Sequence, residues 1–292
     1  MKIAANGLEL EVEVSGQGSP LLLVMGIGSQ LYAWPEAMVD GWVQRGFQVI
    51  RFDHRDIGRS TWLDHLGVPD LRRALMMRGL GRKVEAPYTL SHMAEDCALL
   101  IEALGLEAAH VCGVSMGGMV AQHMAIEHPH RVISLTSIRS SPGTRRHALS
   151  SRPGAVRALL AGPTPKTLEQ AEERLIELIQ AIGTPGAQDE GEIRRIARLC
   201  FPHTHPAGFL RHFAAILASG DRTAALEQLH CPTLVLHGSM DPLIVPAAGR
   251  ATAKAIPEAQ FELLEGMGHD LPPSYQERIV ERVARHCSEA RF

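Results

Sequence analysis

The chain of 292 residues is 45% hydrophobic and carries 29 Lys and Arg against 32 Asp and Glu, a formal net charge of −3, with a pI near 6.6. That length supports one large core, or a core that carries a smaller inserted block. No long basic or acidic run occurs, so neither nucleic acid nor an anionic membrane surface is an expected partner. The apolar runs are too short to span a bilayer.

From the N-terminus, MKIAANGLELEVEVSGQGSP alternates polar and apolar residues where a secretory leader would run continuously apolar, and it reads as a strand. Short apolar runs over 8–14, 20–24, 48–52, 110–112 and 132–138 read as further strands. Between them, 88–104 has helical spacing and stops at Gly105, a residue suited to a C-terminal cap. From 139 to 222 the rhythm breaks into Gly, Pro and Ser punctuation with helices over 167–182 and 191–199. Strands over 233–237 and 260–264 and a helix over 273–286 then restore it. The expected fold is α/β, a mostly parallel central sheet with helices on both faces. Residues 1–138 and 223–292 form the core domain in this reading, and 139–222 is an inserted helical cap.

The segment His110-Val-Cys-Gly113-Val-Ser115-Met116-Gly117-Gly118 sets Gly-x-Ser-x-Gly between a short strand and a helical pattern. In a strand–turn–helix, small residues two before and two after the serine let the backbone close tightly, and Gly113 and Gly117 supply them. The helix that follows aims its N–H groups at the reacting oxygen, so the Met116 N–H is a candidate oxyanion donor. A phosphate-binding loop would need the Lys-Ser/Thr ending that this segment lacks.

A serine hydroxyl is a weak nucleophile and needs a base held by a carboxylate. Gly266-Met-Gly268-His269, just past the strand at 260–264, supplies the candidate base, His269. Asp241, on the loop after the strand at 233–237, lies where ligand-facing groups collect in open α/β sheets and is the candidate orienting acid. Asp270 is adjacent to His269 and poorly placed to bond its ring, Asp221 precedes the strand, and Arg139-Ser-Ser-Pro-Gly after Ile138 contains no acid. The glycines at Met25-Gly26-Ile27-Gly28 make the Ile27 N–H the candidate second oxyanion donor.

Taken together, these residues resemble the α/β-hydrolase superfamily over nearly the whole chain outside the cap. Phe52-Asp53-His54-Arg55-Asp56-Ile57-Gly58-Arg59-Ser60 is similar to that superfamily's Asp-x-Arg-x-x-Gly-x-Ser turn, whose charges the resemblance makes structural. More narrowly, VIRFDHRDIGRST, GVSMGG and LEGMGHDLP resemble the aclacinomycin methylesterase group, which hydrolyses a methyl ester on a polyketide. Many relatives have His-Gly where this chain has Met25-Gly26, which removes any polar contact from that histidine without affecting donation by Ile27. Serine at 115 separates the chain from dehalogenases and epoxide hydrolases with an aspartate nucleophile.

The expectation is a serine hydrolase that cleaves a carboxylic ester (carboxylesterase, methylesterase or lactonase) through an acyl-enzyme on Ser115, His269 and Asp241, with no cofactor and no metal. The same triad could instead cleave a C–C bond, act as an aminopeptidase or carry out cofactor-free perhydrolysis. A non-catalytic ligand-binding protein on this scaffold is the reading from another class. His203-Thr-His205 and His128-Pro-His130 lack further ligands at metal spacing. Met76, Met77, Phe201, Phe209 and Phe213 read as core or as lining of an acyl pocket. Residues 139–222 hold twelve Arg and Lys against eight Asp and Glu, a solvated face or a sign of an acidic substrate. Five scattered cysteines without a CxxC pair fit a reducing compartment, and cytoplasmic residence is expected. Oligomeric state has no sequence signature.

Overall fold

Alternating side chains build a sheet that is covered on both faces. In the computed structural model, which describes residues 1–148, 150–160 and 164–290, the strands are β1 (Lys2–Ala5), β2 (Leu8–Ser15), β3 (Ser19–Val24), β4 (Phe47–Phe52), β5 (Ala109–Val114), β6 (Val132–Ile138), β7 (Thr233–Gly238) and β8 (Gln260–Leu264). They form one sheet in the order β1-β2-β4-β3-β5-β6-β7-β8. The β1/β2 and β2/β4 pairs are antiparallel and every other pair is parallel.

On one face, Leu21, Leu23, Cys112, Val114, Leu234 and Leu236 meet α1 (Glu36–Gln44) and a C-terminal helix, Pro273–Glu289. On the other, Leu22, Val24, Ile50, Phe52 and Val111 meet helices that include α3 (Leu90–Ala103) and α4 (Met116–Glu127). Period-two alternation within β3 thus feeds two separate cores, as a parallel sheet buried on both sides requires. The exposed α2 (Leu71–Gly79) precedes α3.

Between β6 and β7 the described residues are helical and contain no strand. The helices are α5 (Arg145–Ala148), α6 (Pro153–Leu160), α7 (Leu168–Ile182), α8 (Glu190–Cys200), α9 (Pro206–Ser219) and α10 (Thr223–Leu226). α11 (Pro246–Ala255) and the C-terminal helix, α12, complete the set. Thr167 caps α7 by accepting from the Gln170 N–H, and Asp189 caps α8 by accepting from the Glu192 N–H. A half-buried clamp joins the two helices, with Glu172 accepting from Arg194 and Arg198, each at 2.8 Å. Residues 149 and 161–163 of the expected cap, and 291–292 of the expected core, lie outside the described residues.

The structure corrects the sequence reading in detail. The N-terminal stretch is two strands, because Asn6 (φ 52°) and Gly7 (φ 70°) make the tight turn of an antiparallel hairpin. α9 was not expected, since PAGFLRHFAAILAS is apolar on most sides and shows no clean 3.6-residue period. No described helix is long and apolar enough to cross a membrane.

Candidate active site

β5 ends at Val114 and α4 begins at Met116, so a single residue, Ser115, turns strand into helix. Its backbone sits at φ 56° and ψ −121°, outside the regions a relaxed L-residue occupies. A Cβ on Gly113 would lie 2.2 Å from the Gly117 carbonyl oxygen, and one on Gly117 would lie 2.0 Å from that of Val24. Only glycine permits those approaches. The turn is held by the Ser115 N–H donating to Ile138 O at 2.9 Å and by Ser140 Oγ donating to Ser115 O at 2.7 Å.

His269, on the loop after β8, has Nε2 at 3.0 Å from Ser115 Oγ and Nδ1 at 2.6 Å from Asp241 Oδ2. Asp241, on the loop after β7, uses its other oxygen to accept from the N–H groups of Leu243 and Ile244, both at 2.9 Å. Both carboxylate oxygens are thereby fixed. Burial pushes the Asp241 carboxyl up, but the charge and hydrogen bonds of His269 and His237 outweigh it and hold the group well below the usual carboxylate range. For His269, burial pushes the pKa down, Asp241 pulls it up and Arg139 pushes it down again, with a net lowering that leaves the imidazole neutral near pH 7. A neutral ring between carboxylate and hydroxyl donates at Nδ1 and accepts at Nε2.

The structure therefore brings Ser115, His269 and Asp241 into one hydrogen-bonded line, and it leaves the alternative acids elsewhere. Asp270 accepts from the Thr184 N–H at 3.0 Å and from Thr184 Oγ1 at 2.7 Å, and Asp221 accepts from Thr223. Gly26 lies against the nucleophile candidate, since a Cβ there would be 3.4 Å from Ser115 Cβ. The loop carrying Ile27 is thus beside Ser115, as is Met116 at the first position of α4. Neither the Ile27 nor the Met116 N–H is engaged by a hydrogen bond among the described residues.

Ser115 and His269 open onto a cavity of about 210 Å³ walled by aliphatic side chains of α7 and α8, among them Leu175, Leu178, Ile182 and Ile193. A neighbouring cavity of about 650 Å³ shares Ser29, Leu159 and Leu178 with it and holds Phe201 and Phe209. The aromatic residues expected at an acyl pocket therefore line the outer space, not the one at the serine. Phe213 lines neither, Met76 is exposed, and Met77 lines a separate hollow. The candidate metal histidines are not assembled into a site: His205 bonds Asp56 O and Asp64, and no group of three metal-binding side chains occurs among the described residues.

A family model described as the alpha/beta hydrolase fold matches residues 19–273. The chain belongs to that family. It is 27% identical to rhodomycin D methylesterase of Streptomyces peucetius, over 93% of this chain and 92% of that protein. It is also 28% identical to the pimeloyl-[acyl-carrier protein] methyl ester esterase of Aeromonas hydrophila subsp. hydrophila, over 94% of this chain and 98% of that one. Among solved structures, a thermophilic esterase from Thermogutta terrifontis superposes with a TM-score of 0.72 at 26% identity, covering 100% of this chain and 99% of the other.

The charged turn after β4 of this α/β-hydrolase has the structural role that the sequence resemblance implies, whereas the parts played by His54, His212, His237 and Arg139 escaped the sequence reading. Asp53 accepts from the N–H groups of Leu31 and Arg59, and Asp56 accepts from Tyr88 and buried Arg211, so the charges of the turn after β4 are spent on its own scaffold. Burial raises the Asp53 pKa to about 6 despite its two backbone donors. His54 donates to Met25 O at 3.0 Å, and His212 of α9 accepts from the Gly28 N–H at 3.4 Å, so two buried rings hold the loop that carries Ile27. His237 Nε2 donates to Ile244 O at 2.7 Å and lies 3.5 Å from Asp241 Oδ2. Arg139, immediately past β6, lines the cavity with Ser115 and His269. Its place at the C-terminal edge of the sheet was the available signal.

Proposed function

We propose that the protein is a carboxylic ester hydrolase that works through an acyl-enzyme on Ser115, with a small-molecule ester, methyl ester or lactone as substrate. The observation that carries this reading is the line Ser115 Oγ, His269, Asp241, with contacts of 3.0 and 2.6 Å, at the mouth of a mostly aliphatic cavity. The relatives' names add support, since each names an ester-cleaving enzyme.

Ser115 Oγ attacks the ester carbonyl carbon as His269 Nε2 takes its proton, and Asp241 stabilises the imidazolium that forms. The carbonyl oxygen becomes an oxyanion held by the free N–H groups of Ile27 and Met116. Collapse breaks the bond to the alcohol oxygen, which leaves with the proton from His269. Water then attacks the acyl-serine, His269 takes its proton and returns it to Ser115, and the acid departs. Each proton removed is given back, so the cycle draws on no cofactor or metal.

In the same reading, 139–222 is a cap that shapes the substrate space over a core of 1–138 and 223–292, and the chain resides in the cytoplasm. Nucleic acid has no place in it. A fluorophosphonate probe is expected to label the wild-type protein and not Ser115→Ala, and p-nitrophenyl butyrate hydrolysis is expected to vanish with the label. Esterase activity that survives Ser115→Ala would overturn the proposal. A vinylogous diketone and a proline amide, assayed alongside, report C–C hydrolase or aminopeptidase action by the same triad.

A further inference from the structure

Arg139 is 6% exposed, yet Nε and Nη1 of its guanidinium have no hydrogen-bond partner, and no ion pair to it forms among the described residues. A guanidinium has five donors and cannot shed its charge at ordinary pH, so an unmatched buried one is costly unless something arrives to match it. The acids of the same cavity are already occupied. Asp270 is bonded to Thr184, Asp189 caps α8 and Glu192 pairs with Arg195, while Asp241, behind His269, is bonded to His269, Leu243 and Ile244. The fields of Asp241 and Asp270 reach Arg139 and favour its charge, but burial outweighs them and lowers its pKa. Its backbone lies in the left-handed region at φ 50°, and its N–H donates to Leu236 O at 2.8 Å, so the side chain leaves from a fixed point on the sheet edge.

We infer that Arg139 is a specificity residue that binds a carboxylate carried by the substrate in addition to its ester, so that the preferred substrates are half-esters of small dicarboxylic acids. This rests on the reading of Ser115 as nucleophile, because it places the second carboxylate within the cavity that the serine opens onto. Of the positive residues of 139–222, Arg139 lines the cavity at Ser115, and the acidic-substrate reading attaches to that residue.

The test compares monomethyl glutarate with methyl pentanoate, two methyl esters of equal chain length. Wild type is expected to favour the half-ester by about tenfold or more in kcat/KM, and Arg139→Met to lower that ratio by about 10- to 100-fold, mostly through KM, as loss of a charge-assisted pair implies. Arg139→Lys should restore part of the ratio. A ratio unchanged in Arg139→Met would overturn the inference. Calorimetric binding of glutarate to Ser115→Ala, with and without Arg139→Met, reads the same contact without turnover, so failure of the esterase reading and failure of this one are distinguishable. Equal affinity in the two proteins counts against it, and tighter binding of inorganic phosphate than of glutarate would replace the carboxylate by another anion. Thermal stability separates a structural role: Arg139→Met should melt at the same temperature or higher, because it removes an unmatched buried charge, and a clear drop would make Arg139 a scaffold residue.

Discussion

Thr184 Oγ1 donates to Asp270 Oδ1 at 2.7 Å while accepting from the N–H of Gly268 at 2.8 Å. One hydroxyl, in the segment just after α7, thereby holds the residues on both sides of His269. Thr184→Val, which keeps the shape and deletes the hydroxyl, leaves a buried N–H and a carboxylate oxygen short of a partner, and should cost about 2–4 kcal/mol of stability. We expect kcat to fall with KM little changed, and Thr184→Ser to recover most of the loss. Denaturant melts and steady-state kinetics on the three proteins check this.

Asp241→Asn keeps the side chain's size but presents either a donor or a weaker acceptor to His269 Nδ1. An imidazole with the wrong tautomer cannot accept the serine proton, and kcat should fall on the order of 10⁴-fold, as for the corresponding change in the well-studied triad. Folding should survive. Labelling by a fluorophosphonate probe should slow in parallel, and near-normal turnover would remove Asp241 from the catalytic line.

The pH profile of kcat/KM has a definite sign. His269 must be neutral to act as base, and burial lowers its pKa from 6.5, so the ascending limb should have its midpoint below that value. Arg139 is one of the charges pushing it down. Arg139→Met should therefore move the limb towards higher pH, measured on a neutral ester. A shift the other way would mean that the cation does not act on His269.

Gly117→Ala tests the turn itself. The new methyl would meet Val24 O at 2.0 Å and Met25 O at 2.5 Å, both rigid backbone atoms. Destabilisation of at least about 3 kcal/mol and loss of activity are expected, since a well-packed site cannot absorb that overlap. Far-UV circular dichroism melts would detect it.

Acid stability follows from buried neutral histidines. Burial lowers the pKa of His110 and His212 to about 4 and of His54 to about 3. The unfolded chain takes up these protons near pH 6.5 while the native state does not, so stability declines as pH falls from about 6.5 towards 4. His110 and His212 each put up to roughly 3 kcal/mol at stake over that window. A His110→Asn variant should show a shallower decline of melting temperature below pH 6.5.

The sheet was legible because β3, β5 and β7 are short, apolar and bounded by turn residues, and the strand–turn–helix context fixed Ser115 within them. Asp241 and His269 were legible for a related reason, since each follows a strand that could be recognised. What lay hidden depended on contacts between distant segments. Nothing in the sequence around Thr184 or His212 signals that they hold the loops bearing His269 and Ile27, because those hydrogen bonds span 84 and 184 residues. The wall of the inner cavity was missed for another cause. Aromatic and methionine residues attracted the reading, whereas α7 and α8 wall the inner cavity with leucine and isoleucine, which look the same in a core as in a pocket.

Ile182 has two tasks at once: its side chain lines the inner cavity, and its carbonyl oxygen accepts from the His269 N–H at 2.7 Å. The wall of the cavity at Ser115 is therefore bolted to the backbone of the imidazole. Under the proposed mechanism, an acyl group that fits should leave both undisturbed, and one that crowds Ile182 should tilt the ring away from Ser115. Misfit should then lower the rate of bond breaking as well as the affinity, so that a substrate already admitted can still be rejected.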